Sequence, residues 1–188
     1  MHSKTVLSAL ALVATASIAT AAQAQTYVEG TLGLTAYPDL EWNAVDYEVD
    51  QGNAWGLALG HHFTPVFSAE VEYTHTYGEY TGYNGNNVTS DAVMVNGYYR
   101  FMPDSQFRPY VGAGAGLVQV GYENIGGAYT REDQVFGWQV IGGGEVAINP
   151  QVSLFGEYRF QSATGAEDAP TEWDYQSHIF SVGARFNF

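Results

Sequence analysis

The sequence predicts an all-β chain, an eight-stranded antiparallel up-and-down transmembrane β-barrel. Three observations predict it. Apolar and polar residues alternate along almost the whole chain after a short leader, the connections alternate between long and short, and aromatic residues gather at both ends of the apolar face.

The leader is residues 1–24, MHSKTVLSALALVATASIATAAQA, which reads as a cleavable signal peptide. Lys4 precedes an apolar stretch from Val6 to Ala19, and Ala22-Gln23-Ala24 supplies a small-x-small cleavage pattern. The apolar stretch falls short of the roughly 20 residues of a spanning helix. Residues 25–188 are then the barrel domain. No cysteine occurs, so neither a disulfide framework nor a thiolate metal site is available. The net charge is −14, and loss of Lys4 leaves only Arg100, Arg108, Arg131, Arg159 and Arg185 against 20 acids. A surface this acidic excludes nucleic acid as a natural partner.

Within the domain, VFSAEVEYTHTY sets Phe67, Ala69, Val71, Tyr73, His75 and Tyr77 on one face and Ser68, Glu70, Glu72, Thr74 and Thr76 on the other. A period of two is the strand period, whereas a helix would mix these residues on one surface. The same reasoning predicts strands near Tyr27–Ala36, Asn53–Phe63, Val66–Tyr77, Asp91–Phe101, Pro109–Val120, Gln134–Ile148, Gln151–Gln161 and Tyr175–Phe188. The connections between them are 16, 2, 13, 7, 13, 2 and 13 residues long. In an up-and-down meander this puts four long loops at one end and three short turns at the other. The short turns hold Thr64-Pro65, Pro103-Asp104-Ser105 and Asn149-Pro150, whose fixed φ and side-chain acceptors favour turns. The long loops hold Asp39, Glu41, Asp46, Glu48, Asp50, Glu79, Glu123, Glu132, Asp133, Glu167, Asp168, Glu172 and Asp174, offset by Arg131.

An even number of antiparallel strands closes first against last and so removes exposed edges. The closed barrel has two polarities: apolar side chains inward, as in a soluble ligand-binding barrel, or outward into lipid. The polar face carries Glu29, Glu70, Glu72, Arg100, Glu145, Glu157, Arg159 and Arg185 in mid-strand. In a membrane barrel these point into a lumen that side chains just fill, where charges pair. Counting from the turns predicts Arg185 beside Glu29 and Arg100 beside Glu70. The apolar face is aliphatic in its middle, with Leu32, Leu57, Val71, Val95, Val140, Leu154 and Val182. Phe63, Phe67, Phe101, Tyr110, Phe186 and Phe188 lie towards its short turns; Tyr37, Tyr77, Phe136, Trp138, Tyr158 and Phe160 lie towards its long loops. Two aromatic girdles around an aliphatic belt suit a membrane and its two interfaces, and the predicted strands have the length a tilted membrane strand needs.

The segments FSAEVEYTHT (67–76), RPYVGAGAG (108–116), GGGEVAINPQVSLFGEYRF (142–160) and FSVGARFNF at the end of the chain together resemble the small eight-stranded outer-membrane barrels of the OmpA-like, OmpX-like and opacity-protein group. The resemblance covers the whole barrel domain. It implies residence in the bacterial outer membrane, contact with outer-membrane lipid and lipopolysaccharide, and delivery by periplasmic chaperones. It also implies that Phe186 and Phe188 form the C-terminal signal read by the outer-membrane assembly machinery. With the chain stopping at the barrel, a peptidoglycan-binding domain of the OmpA kind is not expected.

Candidate chemistry is sparse. His178 and Ser181 are three apart and project to opposite faces, and no lipid-facing His-x-Ser with a nearby acid is present, so no catalytic residue is expected. His61-His62 are strand neighbours that diverge without a third ligand, so no metal site is expected, and no cofactor. Asn87-Val88-Thr89 fits a glycosylation sequon but reads as an ordinary loop in a bacterial envelope protein. In GAGAG, Gly112, Gly114 and Gly116 are expected to line the lumen, since no lysine or helix follows to make a phosphate loop. The function expected is structural or interactive: envelope integrity, adhesion or recognition through acidic extracellular loops, with divalent cations bridging those loops to lipopolysaccharide phosphates. The alternatives are a narrow cation-preferring pore and a soluble secreted binding barrel.

Overall fold

The computed structural model describes residues 26–36, 40–42, 45–47, 52–79, 86–124, 130–163 and 175–188. The leader and Tyr37 lie outside the described residues. The strands are β1 (Thr26–Ala36), β2 (Leu40–Trp42), β3 (Val45–Tyr47), β4 (Gly52–His62), β5 (Phe67–Glu79), β6 (Asn86–Arg100), β7 (Phe107–Asn124), β8 (Thr130–Ala147), β9 (Val152–Ala163) and β10 (Tyr175–Asn187). Eight of them close a barrel in the order β1-β10-β9-β8-β7-β6-β5-β4, and β2 pairs with β3 as a separate small hairpin. Every barrel neighbour is antiparallel, and closure is the pairing of β1 with β10, where Glu29 lies opposite Arg185 and Leu32 opposite Val182.

The period of two now has a spatial meaning. Along β4, Gly52, Ala54, Gly56, Ala58 and Gly60 are buried, while Asn53, Trp55, Leu57 and Leu59 face outward. Leu32, Leu57, Val95 and Val182 are 61–69% exposed on the outer wall, while Glu29, Glu72, Glu145, Arg159 and Arg185 are no more than 6% exposed inside. Charges inside and a continuous aliphatic exterior are the arrangement that lipid, and not water, stabilises. The soluble-barrel polarity is thereby excluded.

Side chains close two of the three short turns as their sequences predict, and a backbone bond from Ser105 N–H to the Met102 carbonyl at 3.0 Å closes the third. Thr64 Oγ1 accepts from the backbone N–H of Val66 and Phe67 at 3.3 and 2.9 Å. Asn149 Oδ1 accepts from Gln151 and Val152 at 2.9 and 2.8 Å. Each turn fixes the register of the hairpin it joins.

Strand length departs from the sequence reading at the opposite end. β7 and β8 run for 18 residues each, against 11 for β1 and β4. A tilted strand crosses the bilayer in about 9–11 residues, so the β6–β7–β8 side projects beyond it as a paired sheet. Asn87-Val88-Thr89, read as loop, lies in β6, and Glu123, Glu132 and Asp133, also read as loop, lie in β7 and β8. Above the lipid belt neither face must be apolar, so the alternation that marks a strand in sequence fades while the backbone ladder continues, with Asn86 opposite Asn124 and Glu123 opposite Thr130.

The edge of the belt can be read from one row of paired residues on the outer wall. Trp55 lies opposite His75, His75 opposite Asp91, Asp91 opposite Gln119 and Gln119 opposite Gln134. His75 Nδ1 and Asp91 Oδ1 are 2.9 Å apart and the Tyr73 hydroxyl donates to the same oxygen. Below this row the outward residues return to Val93, Leu117 and Phe136.

Candidate functional site in the barrel interior

The residues of interest follow from the pleat: on each strand, every second side chain enters the lumen. Glu29, Glu70, Glu72, Arg100, Glu145, Glu157, Arg159 and Arg185 all enter it and all are buried. They fall into tiers.

The tier next to the short turns gathers arginine. Arg185 Nε donates to Glu29 Oε2 at 2.8 Å and its Nη1 reaches Glu145 at 2.5 Å. Arg108 Nη2 reaches the same Glu145 at 2.9 Å, and Arg100 Nη2 approaches it at 3.5 Å. The Arg185 guanidinium also lies 4.4 Å from the centre of the Tyr27 ring, a cation–π contact. Arg185 and Glu29 therefore couple: in a double-mutant cycle with Arg185→Gln and Glu29→Gln, unfolding in bilayers is expected to give a coupling of about 1–3 kcal/mol. Strictly additive losses would show the pair to be energetically silent.

Arg100 does not meet Glu70, which corrects the expected pairing. Glu70 lies opposite Asn96, four residues up β6 from Arg100, and the Arg100 backbone N–H bonds Val66 in the turn. The barrel stagger thus leaves Arg100 below Glu70 and turns it past β7 to Glu145 on β8. Glu70 is held instead by neutral donors: the Tyr27 hydroxyl at 2.9 Å, the Tyr98 hydroxyl at 2.7 Å and Asn96 Nδ2 at 3.1 Å.

The tier above is built on Arg159, which donates to Glu72 Oε1 at 2.5 Å and to Glu157 Oε1 at 2.7 Å. β9 and β5 stand four places apart in the ring of eight, so Arg159 and Glu72 join opposite walls. Gln139 spans from β8, donating to Asn96 Oδ1 at 2.6 Å and to Glu72 Oε2 at 3.3 Å, and Gln161 donates to Gln139 Oε1 at 3.2 Å. The glycines of GAGAG make room for this network, since a Cβ on Gly114 would sit 1.9 Å from Asn96 Oδ1. Further towards the long connections one side of the lumen is apolar, with Ala92, Met94, Val118, Val120 and Ala163 in one cluster and Val135 packed against it, while Thr35, Thr74, Thr76, Ser90 and Ser177 are buried in the same half.

The outer-wall residues are equally specific in placement. Phe63, Phe67, Phe101, Phe186 and Phe188 face outward at the short-turn end, with Phe67 edge-on to Tyr99 at 5.1 Å. Phe136, Trp138 and Tyr158 face outward at the other end and Phe160 is half-buried there, with Trp138 and Phe160 ring centres 5.6 Å apart. Tyr110 is a correction. It is 4% exposed, points into the lumen and donates its hydroxyl to Glu157 Oε2 at 3.0 Å. Its parity is that of Arg108 and Gly112, not of Ala113, and Val111 takes the outward position. The same parity rule could have found the lumen residues the sequence reading passed over: Tyr27 shares a face with Glu29, Tyr98 with Arg100, and Arg108 with Gly112.

The histidines separate as strand neighbours must. His61 turns outward near Thr26 Oγ1 and the Phe63 ring, whereas His62 turns inward against Tyr27 and Asn187. His178 bonds the Tyr158 hydroxyl at 2.7 Å on the outer wall, and Ser181 donates to Glu157 at 3.3 Å in the lumen. Among the described residues no group of three His, Cys, Asp or Glu side chains is placed to hold a metal ion.

The family described as outer membrane protein beta-barrel domain matches residues 5–188. The chain belongs to this family. As an outer-membrane β-barrel it resides in the bacterial outer membrane, and in such barrels the short turns usually face the periplasm. Over 86 residues it is 29% identical to the outer membrane protein PagN of Salmonella typhimurium, covering 42% of this chain but only 36% of that relative's length. Its fold is similar to that of Neisserial surface protein A, with a TM-score of 0.67 at 19% identity, covering 87% of this chain and 97% of the other. It is also similar in fold to Ail of Yersinia pestis, solved with the heparin analogue sucrose octasulfate (TM-score 0.58, 10% identity, 89% and 100% covered). OprG of Pseudomonas aeruginosa gives a TM-score of 0.58 at 13% identity, with 88% and 96% covered.

Proposed function

We propose that this outer-membrane barrel is a closed scaffold that presents an acidic extracellular surface for contact with other surfaces, and that it does not serve as a pore. The observation that carries this reading is the Arg159–Glu72 bridge, which ties opposite walls at mid-lumen. A water path would need to pass that bridge and the Gln139, Gln161 and Asn96 side chains bonded beside it. Glu123, Glu132 and Asp133 lie in the outer ends of β7 and β8, beyond the stretch that crosses the lipid belt, and elements standing clear of a scaffold are where binding surfaces concentrate.

The partner this surface suits is basic. Ail was solved with a polysulfated ligand, but the acidic connections of the present chain would repel one and attract a cationic protein surface, with the steep salt dependence of steered association. On the same reading Phe186 and Phe188 serve as the assembly signal, residues 1–24 as the export signal, and divalent cations join acidic connections to lipopolysaccharide.

The test is adhesion of cells expressing the protein to surfaces coated with a basic protein, beside cells carrying Glu123→Gln, Glu132→Gln and Asp133→Asn together. The expected result is salt-sensitive adhesion that the triple neutralisation removes at equal surface expression. Equal adhesion by both would overturn the proposal.

A further inference from the structure

We infer that the periplasmic mouth of the lumen is a binding site for a small water-borne oxyanion. Three guanidinium groups, those of Arg100, Arg108 and Arg185, converge there on the single carboxylate of Glu145. Arg185 has a second partner in Glu29, but among the described residues Arg100 and Arg108 have no acid other than the shared Glu145. Arg100 is 6% exposed, its contact to Glu145 is long at 3.5 Å, and its other contacts are His62 Nδ1 and the Pro65 carbonyl. Among the described residues the buried Nε–H groups of Arg100 and Arg108 have no acceptor.

A buried guanidinium with an incomplete counter-charge and an orphaned donor is costly, and an oxyanion removes both costs, because its oxygens accept from several N–H groups at once. The surroundings suit such a ligand. Ser68, Ser153 and Asn187 share the mouth with His62, and Ser153 Oγ lies 3.4 Å from Arg108 Nη2. Within the described short turns the acid is Asp104, which is exposed. Arg108 is the accessible member, its side chain 21% exposed, and it faces the lumen and not lipid. A ligand therefore reaches it from the periplasmic water and carries a phosphate or a carboxylate group.

The test is a titration of the full-length protein in maltoside micelles, which contain no phosphate of their own. Inorganic phosphate is one arm and acetate the other, with chloride lowered to hold ionic strength constant. Backbone amide resonances of Arg108, Glu145 and Ser153 are expected to shift and saturate, while those of Phe136 and Trp138 at the far end do not move. Arg108→Gln should raise the half-saturating concentration at least about tenfold, through loss of a charge-assisted contact. Glu145→Gln should lower it, because the carboxylate that competes for the three arginines is gone. The tighter arm identifies the ligand group as phosphate or carboxylate. Shifts that do not saturate, that spread evenly over both ends, or that are unchanged in Arg108→Gln overturn the assignment.

Discussion

Replacing Arg159 by Met is expected to lower the unfolding free energy of the barrel in phospholipid bilayers by about 3–5 kcal/mol. Arg159 is 2% exposed and neutralises both Glu72 and Glu157, themselves 2% and 8% exposed. Its removal strands two buried carboxylates that no other arginine among the described residues reaches. The penalty is therefore that of uncompensated buried charge, not of one lost contact. Adding Glu72→Gln and Glu157→Gln to Arg159→Met should recover much of the loss, since neutral amides leave no unpaired charge. Urea titration of the four proteins checks this. A triple variant no more stable than Arg159→Met alone would show that packing by the guanidinium, and not charge, is what matters.

The second large effect comes from the outer wall. Leu57 is the central residue of β4 and is 61% exposed. Leu57→Arg should cost about 2–4 kcal/mol in bilayers, the expected penalty for an arginine facing lipid at mid-depth. The same change at Phe63, in a turn at the interface, should cost no more than about 1 kcal/mol. In a barrel whose exterior met water both changes would be nearly neutral, so the difference between the two positions reads lipid exposure directly. Equal, small effects at Leu57 and Phe63 would contradict the outward apolar polarity.

What was legible in the sequence was whatever the pleat and the bilayer jointly dictate. Phe67 to Tyr77 alternates because lipid lies on one side and a polar lumen on the other, and β5 forms there as read. Thr64 and Asn149 mark turns through their side-chain acceptors, and they make those bonds. The Glu29 and Arg185 pair was legible because the first and last strands must close and both residues lie near strand ends fixed by turns.

Two kinds of feature were not legible. Outside the bilayer neither face needs to be apolar, so the outer ends of β6, β7 and β8 and the small β2–β3 hairpin carry no periodic signal. Contacts across the lumen depend on stagger, which no single strand records. Arg100 consequently meets Glu145 on β8, not Glu70 on β5, and the Arg159–Glu72 bridge joins residues 87 apart in sequence. Tyr110 differs from both, because its parity alone assigns it to the lumen.

The most direct measurement of the central claim, that side chains close this lumen, is single-channel conductance of the purified protein in a planar bilayer. Arg159→Ala, Glu145→Ala and Arg100→Ala belong beside it. Protein shown to be inserted and folded should carry no steady current, and discrete openings should appear only when Arg159 is removed and the bridge between opposite walls is lost. Steady cation-selective current through the unaltered protein would contradict the closed lumen and make the barrel a narrow channel.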